Sequence, residues 1–111
     1  MRRSRGDIWF VDLTDARGHE QSGLRPAVVL AVAYGGLAIV VPLTTTPAAF
    51  GFPHTHGIEK SSQNGLSSDS AALVFQIVAL SEDRFVRKIG ECSVEDMEAI
   101  NVLLKDLLLP E

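Results

Sequence analysis

Apolar residues along this chain come in short runs of strand length, and only after residue 93 does their spacing lengthen to that of a helix. Residues 7–13 (Asp-Ile-Trp-Phe-Val-Asp-Leu) are rich in β-branched and aromatic side chains and predict a first strand. The continuous apolar run over 26–33 suits a strand buried on both faces or a short buried helix, and its length favours the strand. Tyr34-Gly35-Gly36 predicts a tight turn, because glycine adopts the positive φ that a hairpin demands. The returning strand covers 37–43. Pro42 within it predicts an edge position or a bulge, since proline gives no ladder hydrogen bond.

Residues 44–53 hold two prolines and a glycine and read as a loop, followed by a candidate strand over 54–59. The segment 61–70 is polar and turn-rich, with Asn64-Gly65 as a hairpin-type signal; 71–80 reads as an apolar strand and 85–90 as a half-buried, alternating one. Then the period changes. Ser93 is placed to cap a helix, with Asp96 three residues on as a near capping box. Val94, Met97, Ile100, Leu103, Leu104, Leu107 and Leu108 recur at helical spacing, with Glu95, Glu98, Asn101 and Lys105 between them and Pro110 as the stop. The predicted architecture is mainly β, a small antiparallel barrel closed or buttressed by a C-terminal amphipathic helix. That helix either lays its whole stripe on the sheet or leaves part of it for a second subunit.

The length, 111 residues, corresponds to one domain with a single core. Cys92 is the only cysteine, so no intrachain disulfide is possible. The basic start (Arg2, Arg3, Arg5) is followed by an apolar run too short for a signal or spanning segment, which places the protein in the cytoplasm and away from membranes. A net charge of −4, with no further Lys/Arg-rich run, argues against a broad duplex-DNA binder. Single-stranded nucleic acid stays compatible, because a narrow local groove and base stacking suffice to hold it.

Candidate chemistry concentrates in Gly18-His19-Glu20-Gln21-Ser22-Gly23-Leu24-Arg25-Pro26. An imidazole, a carboxylate, a carboxamide and a guanidinium crowd a connection between two apolar segments, where binding and catalysis commonly reside. A solvated loop with an inconsequential Glu20–Arg25 ion pair is the plain alternative. His54 and His56 are two apart and would share one face of a strand; two histidines alone fall short of a metal site, which leaves a loop or RNA-contact role. Trp9 and Phe10 lie on opposite strand faces, one for the core and one for a groove or partner.

With Arg5-Gly6-Asp7-Ile8-Trp9 before it and Ala27-Val28-Val29-Leu30 after it, this run resembles the opening of the MazF/Kid (PemK) toxins, and Val40-Val41-Pro42-Leu43-Thr44 is similar to that family's strand ending in Pro-x-Thr. The likeness extends more weakly through 65–69, Gln76 and the C-terminal helix. It implies an SH3-like barrel, a two-fold homodimer and a metal-independent, cofactor-free endoribonuclease that cuts single-stranded RNA and is silenced by a cognate antitoxin. A non-catalytic gyrase inhibitor resembling CcdB, or a degenerate member that only binds antitoxin, would share the fold.

In-line attack by a 2′-hydroxyl requires proton removal, stabilisation of phosphorane-like charge and protonation of the leaving 5′-oxygen, with a cyclic phosphate as product. Arg25 suits the charge, being planar and always protonated. The resemblance pairs it with Thr44, whose hydroxyl can donate to a phosphate oxygen. Glu20 either accepts the 2′-hydroxyl proton or orients Arg25, and His19 titrates near neutrality as acid or base. Gln21, Arg17, Thr45 and Gln76 complete the expected RNA contacts. The chain departs from the family at Phe75, where several relatives carry an acid, at Val78, where they carry a base, and at Leu73, an arginine in one branch.

Overall fold

The apolar runs pair into one antiparallel sheet, seen in a computed structural model that describes residues 2–14, 18 and 23–111. The strands are β1 (Asp7–Asp12), β2 (Leu24–Val32), β3 (Ala38–Thr44), β4 (Thr55–Ile58), β5 (Ser70–Leu73), β6 (Val78–Leu80) and β7 (Phe85–Glu91). Their order is β4-β5-β3-β2-β1-β7, with β6 also pairing β3. One helix, α1 (Val94–Leu108), follows. The predicted mainly β antiparallel architecture with a C-terminal helix is thus found, as a sheet whose strand ladder stays open between β4 and β7.

The central strands bury both faces over Ala27–Leu30 and Val40–Thr44, whereas the end of the apolar run, Ala31 to Ala33, is exposed. Ile8, Val28, Val41 and Leu43 join Ile58, Val74 and Ile100 in the larger cluster. Trp9, Val11, Ala27, Val29 and Val40 form a second cluster on the opposite face. Phe85 covers that second cluster, its ring edge-on to Trp9 at 5.8 Å and 84°. Alternate residues of β1 thereby feed different cores, with Trp9 2% exposed and Phe10 half-buried.

The seam between β4 and β7 is filled by a loop. Residues 59–69 fold around buried Asn64, whose Oδ1 accepts from the Ser61 and Leu66 N–H groups at 2.9 and 3.0 Å and whose Nδ2 donates to Glu59 O at 2.8 Å. The Glu91 N–H donates to Gln63 O at 3.0 Å, stitching the loop to β7. Gly65 has φ +70°, and a Cβ there would stand 1.9 Å from Ile89 O. Only glycine fits such an approach.

Several expectations change in detail. Asn64-Gly65 is not a two-residue hairpin: it belongs to the longer loop between paired β4 and β5. Pro42 is not at an edge. It lies opposite Ala27 of β2, in the gap where the second partner of β3 changes from β6 (residues 38–40) to β5 (43–44), so no continuous ladder is demanded there. The run 71–80 is two strands broken by a 3₁₀ turn at Val74–Gln76. Tyr34–Gly36 is also a 3₁₀ turn, with Gly35 and Gly36 at φ 77° and 79° as expected.

The Ser93 hydroxyl caps α1 by accepting from the Asp96 N–H at 3.1 Å. Ile100 is fully buried, and Met97, Leu103, Leu104 and Leu107 pack on the core. Val94 and Leu108 fall outside this packed face and are 70% and 57% exposed. His56 Nε2 meets Asp96 at 2.8 Å and His54 Nε2 meets Asp106 at 2.9 Å, so both histidines clasp the helix. These contacts give the two histidines a helix-clasping role that the sequence did not signal. No helix among the described residues is long and apolar enough to cross a membrane.

Candidate nucleic-acid interface

The segment that carries the polar run is bounded by a paired root. Asp12 lies opposite Leu24, and the Leu13 N–H donates to Gly23 O at 2.8 Å. Arg17, His19, Glu20 and Gln21 lie outside the described residues. Arg25 stands one step inside the root, opposite Val11 in the ladder. The strand begins at Leu24 rather than at residue 26, so Arg25 is held by sheet backbone and not by a loop.

Arg25 lines a cleft of about 370 Å³ with Phe10, Leu24, Pro26, Thr45, Leu66, Ser67, Ser68, Ser70, Ile89 and Arg87. Arg87 lies across the ladder from Phe10, its guanidinium 4.8 Å from the ring centre. Two guanidiniums and several hydroxyls therefore share one concavity whose described lining holds no carboxylate. That composition suits an anion with two acceptor oxygens that a planar guanidinium fork can bridge, such as a phosphate diester. A chain of net charge −4 thus keeps a local cationic site.

Thr44 ends β3, opposite Ala71, and is 2% exposed. Its Oγ1 donates to Thr46 Oγ1 at 3.1 Å and accepts from the Thr46 N–H at 3.3 Å. Thr45 is exposed and walls the arginine cleft, whereas Thr46 walls a second concavity of about 510 Å³ with Ala49, Phe52, Pro53, His54, Leu73, Phe75 and Gln76. Arg25 and Thr45 are thereby brought to one cleft, and Thr44 precedes Thr45 as the buried end of β3. Gln76 lies in the other concavity. Leu73 is buried on its floor, Phe75 is 40% exposed at its wall, and Val78 pairs with Val40 in β6.

Sequence reasoning missed Arg87 and the serines at 67 and 68. A signal for Arg87 existed in the alternation of 85–90, which puts Arg87 on one face and Lys88 on the other. The serines arrive only because the loop folds onto β7.

The sequence profile of PemK-like, MazF-like toxins of type II toxin–antitoxin systems matches residues 4–108. The chain belongs to this toxin family. It is similar to Endoribonuclease MazF9 of Mycobacterium tuberculosis, with 34% identity over 110 residues, covering 91% of this chain and 92% of the relative. Endoribonuclease EndoA of Bacillus subtilis is 31% identical over 105 residues, covering 91% and 90%. Among solved structures, MazF from Deinococcus radiodurans superposes with a TM-score of 0.81 at 24% identity, covering 96% of each chain. A mycobacterial endoribonuclease in complex with its cognate antitoxin gives 0.75 at 23% identity, covering 99% of each. These superpositions place the seven strands and helix in the MazF toxin fold.

Proposed function

We propose that the protein is the toxin of a type II toxin–antitoxin pair, an endoribonuclease that cuts single-stranded RNA in the cytoplasm and works as a homodimer under the control of a cognate antitoxin. The observation that carries this reading is the cleft that Arg25, Arg87 and Thr45 line together, Thr45 directly following the Pro42-Leu43-Thr44 strand end. Relatives named endoribonuclease, and the solved toxin–antitoxin complex, support the same activity and partner.

In this reading a substrate 2′-oxygen attacks phosphorus, the bond to the 5′-oxygen breaks, and a 2′,3′-cyclic phosphate and a 5′-hydroxyl result. Arg25 spreads the developing charge over its forked donors. The Thr44 hydroxyl turns its proton from Thr46 Oγ1 toward a phosphate oxygen while its oxygen goes on accepting from the Thr46 N–H. Arg87 grips a neighbouring phosphate. Glu20 or His19, carried on the loop rooted at Asp12 and Leu24, moves the protons, and Arg17, Gln21, Thr45 and Gln76 contact the strand. The test is incubation with a long unstructured transcript in the presence of EDTA. Fragments ending in cyclic phosphate, absent with Arg25→Ala, are expected; intact RNA from wild type and variant alike would sink the reading.

A further inference from the structure

We infer that the concavity between Phe52 and Phe75 is a subsite for one unpaired nucleobase of the RNA. The inference rests on the endoribonuclease reading and adds to it a specificity element. Phe52 and Phe75 are 48% and 40% exposed, and their rings lie 6.4 Å apart at 63°. Exposed phenylalanine rings at the mouth of a cavity with an apolar floor are costly in water unless something covers them. Ala49 and Leu73, both buried, form that floor. The volume, about 510 Å³, accommodates a flat heterocycle.

The choice of occupant follows from what adjoins the cavity. Its wall at Thr46 is one residue from Thr45, which walls the arginine cleft, and the Thr46 N–H is bonded to Thr44 Oγ1. A strand whose phosphates sit at Arg25 and Arg87 therefore has an aromatic cavity on the other side of the same three threonines. Single-stranded RNA is held by this pairing of cationic track and aromatic face, since every base has a π surface to stack. Gln76, Thr46 and His54 place amide, hydroxyl and imidazole groups among the lining residues, beside the two aromatic rings.

Fluorescein-labelled 2′-O-methyl octamers of A, C, G and U, with an abasic octamer as reference, test this by anisotropy. The methyl group removes the attacking hydroxyl, so binding is read without cleavage. At least one octamer is expected to bind about ten-fold tighter than the abasic one, the order of one stacked base. Phe75→Ala should erase that margin and Phe75→Trp should keep it, both at unchanged melting temperature, while Arg87→Ala should weaken every oligomer, the abasic one included. An abasic octamer that binds as well as the other four, or a margin that survives Phe75→Ala, would overturn the subsite. If the margin survives while Phe75→Ala halves the mass in light scattering, a second copy of the chain occupies the cavity, and the inference is equally overturned. Loss of transcript cleavage with the base-dependent margin intact would instead refute the nuclease reading and leave the subsite standing.

Discussion

The Arg87 guanidinium rests 4.8 Å from the centre of the Phe10 ring, its cross-strand partner between β7 and β1, at the edge of the cleft that Arg25 lines. The ring fixes a long cation whose rotamer freedom would otherwise be lost on binding, so the charge is in place before a phosphate arrives.

Arg87→Ala is therefore expected to raise KM for an oligoribonucleotide about ten-fold and to lower the salt dependence of binding by roughly one phosphate contact. Arg25→Ala should act mainly on kcat, by about 10²–10³-fold, as for loss of a donor to transition-state charge. Steady-state cleavage at two salt concentrations separates the two; equal effects on both constants would contradict the division of roles.

Gly65→Ala should be among the most destabilising single changes in the chain. Its φ is +70°, and the added Cβ would meet Ile89 O, so either the loop or β7 must shift. A cost of about 3 kcal/mol, seen as a fall of about 10 °C or more in Tm, is expected. Gly90→Ala, whose Cβ would come within 2.3 Å of Asn64 C, should behave alike. A thermal melt unchanged by either would mean that the seam is not packed as described.

Asp7 is 4% exposed and fully occupied. Its Oδ2 accepts from the Ser4 N–H at 2.9 Å and from Trp9 Nε1 at 3.3 Å, and its Oδ1 faces Lys88 Nζ at 3.3 Å. Hydrogen bonds to Glu91 and then to Asp7 push the Lys88 ammonium above its ordinary range. Asp7→Ala leaves the indole N–H and a backbone N–H without their acceptor and should cost about 2–3 kcal/mol. Urea titration followed by Trp9 fluorescence reads this directly, and a change below measurement error would count against it.

Burial, followed by the negative charge of Asp96, pushes the Cys92 thiol from 9.0 up to about 11. The folded state thus favours the neutral thiol. The stability this contributes is fully present below the ordinary thiol pKa and is lost as pH rises through about 11. Iodoacetamide at pH 8 should accordingly react far more slowly with the native protein than with the urea-unfolded chain. Equal rates would refute the shift.

Much of the fold is legible in the sequence because it rests on local rules. The β-branched runs at β1 and β2, the paired positive-φ glycines at 35 and 36 and the Ser93 cap each dictate their own element. What was not legible depends on distant partners. Pro42 signals an edge by its chemistry and sits in the interior because β5 and β6 share β3 unequally. Nothing local marks the break at Val74–Gln76, where an apolar run looks the same whether it continues or turns. In the site, Arg25 was legible from its run, while Arg87 depended on the register that sets it against Phe10.

The loop that seals the barrel is also a wall of the anion cleft, for Gly65, Leu66, Ser67 and Ser68 line it. Residues able to alter what the cleft accepts are thus the ones that hold β7 to the rest of the sheet. Selection for a new RNA target and selection for a durable fold act on the same few positions, so a change of specificity introduced through this wall carries a cost in stability that a substitution at Phe75, out on the opposite concavity, does not.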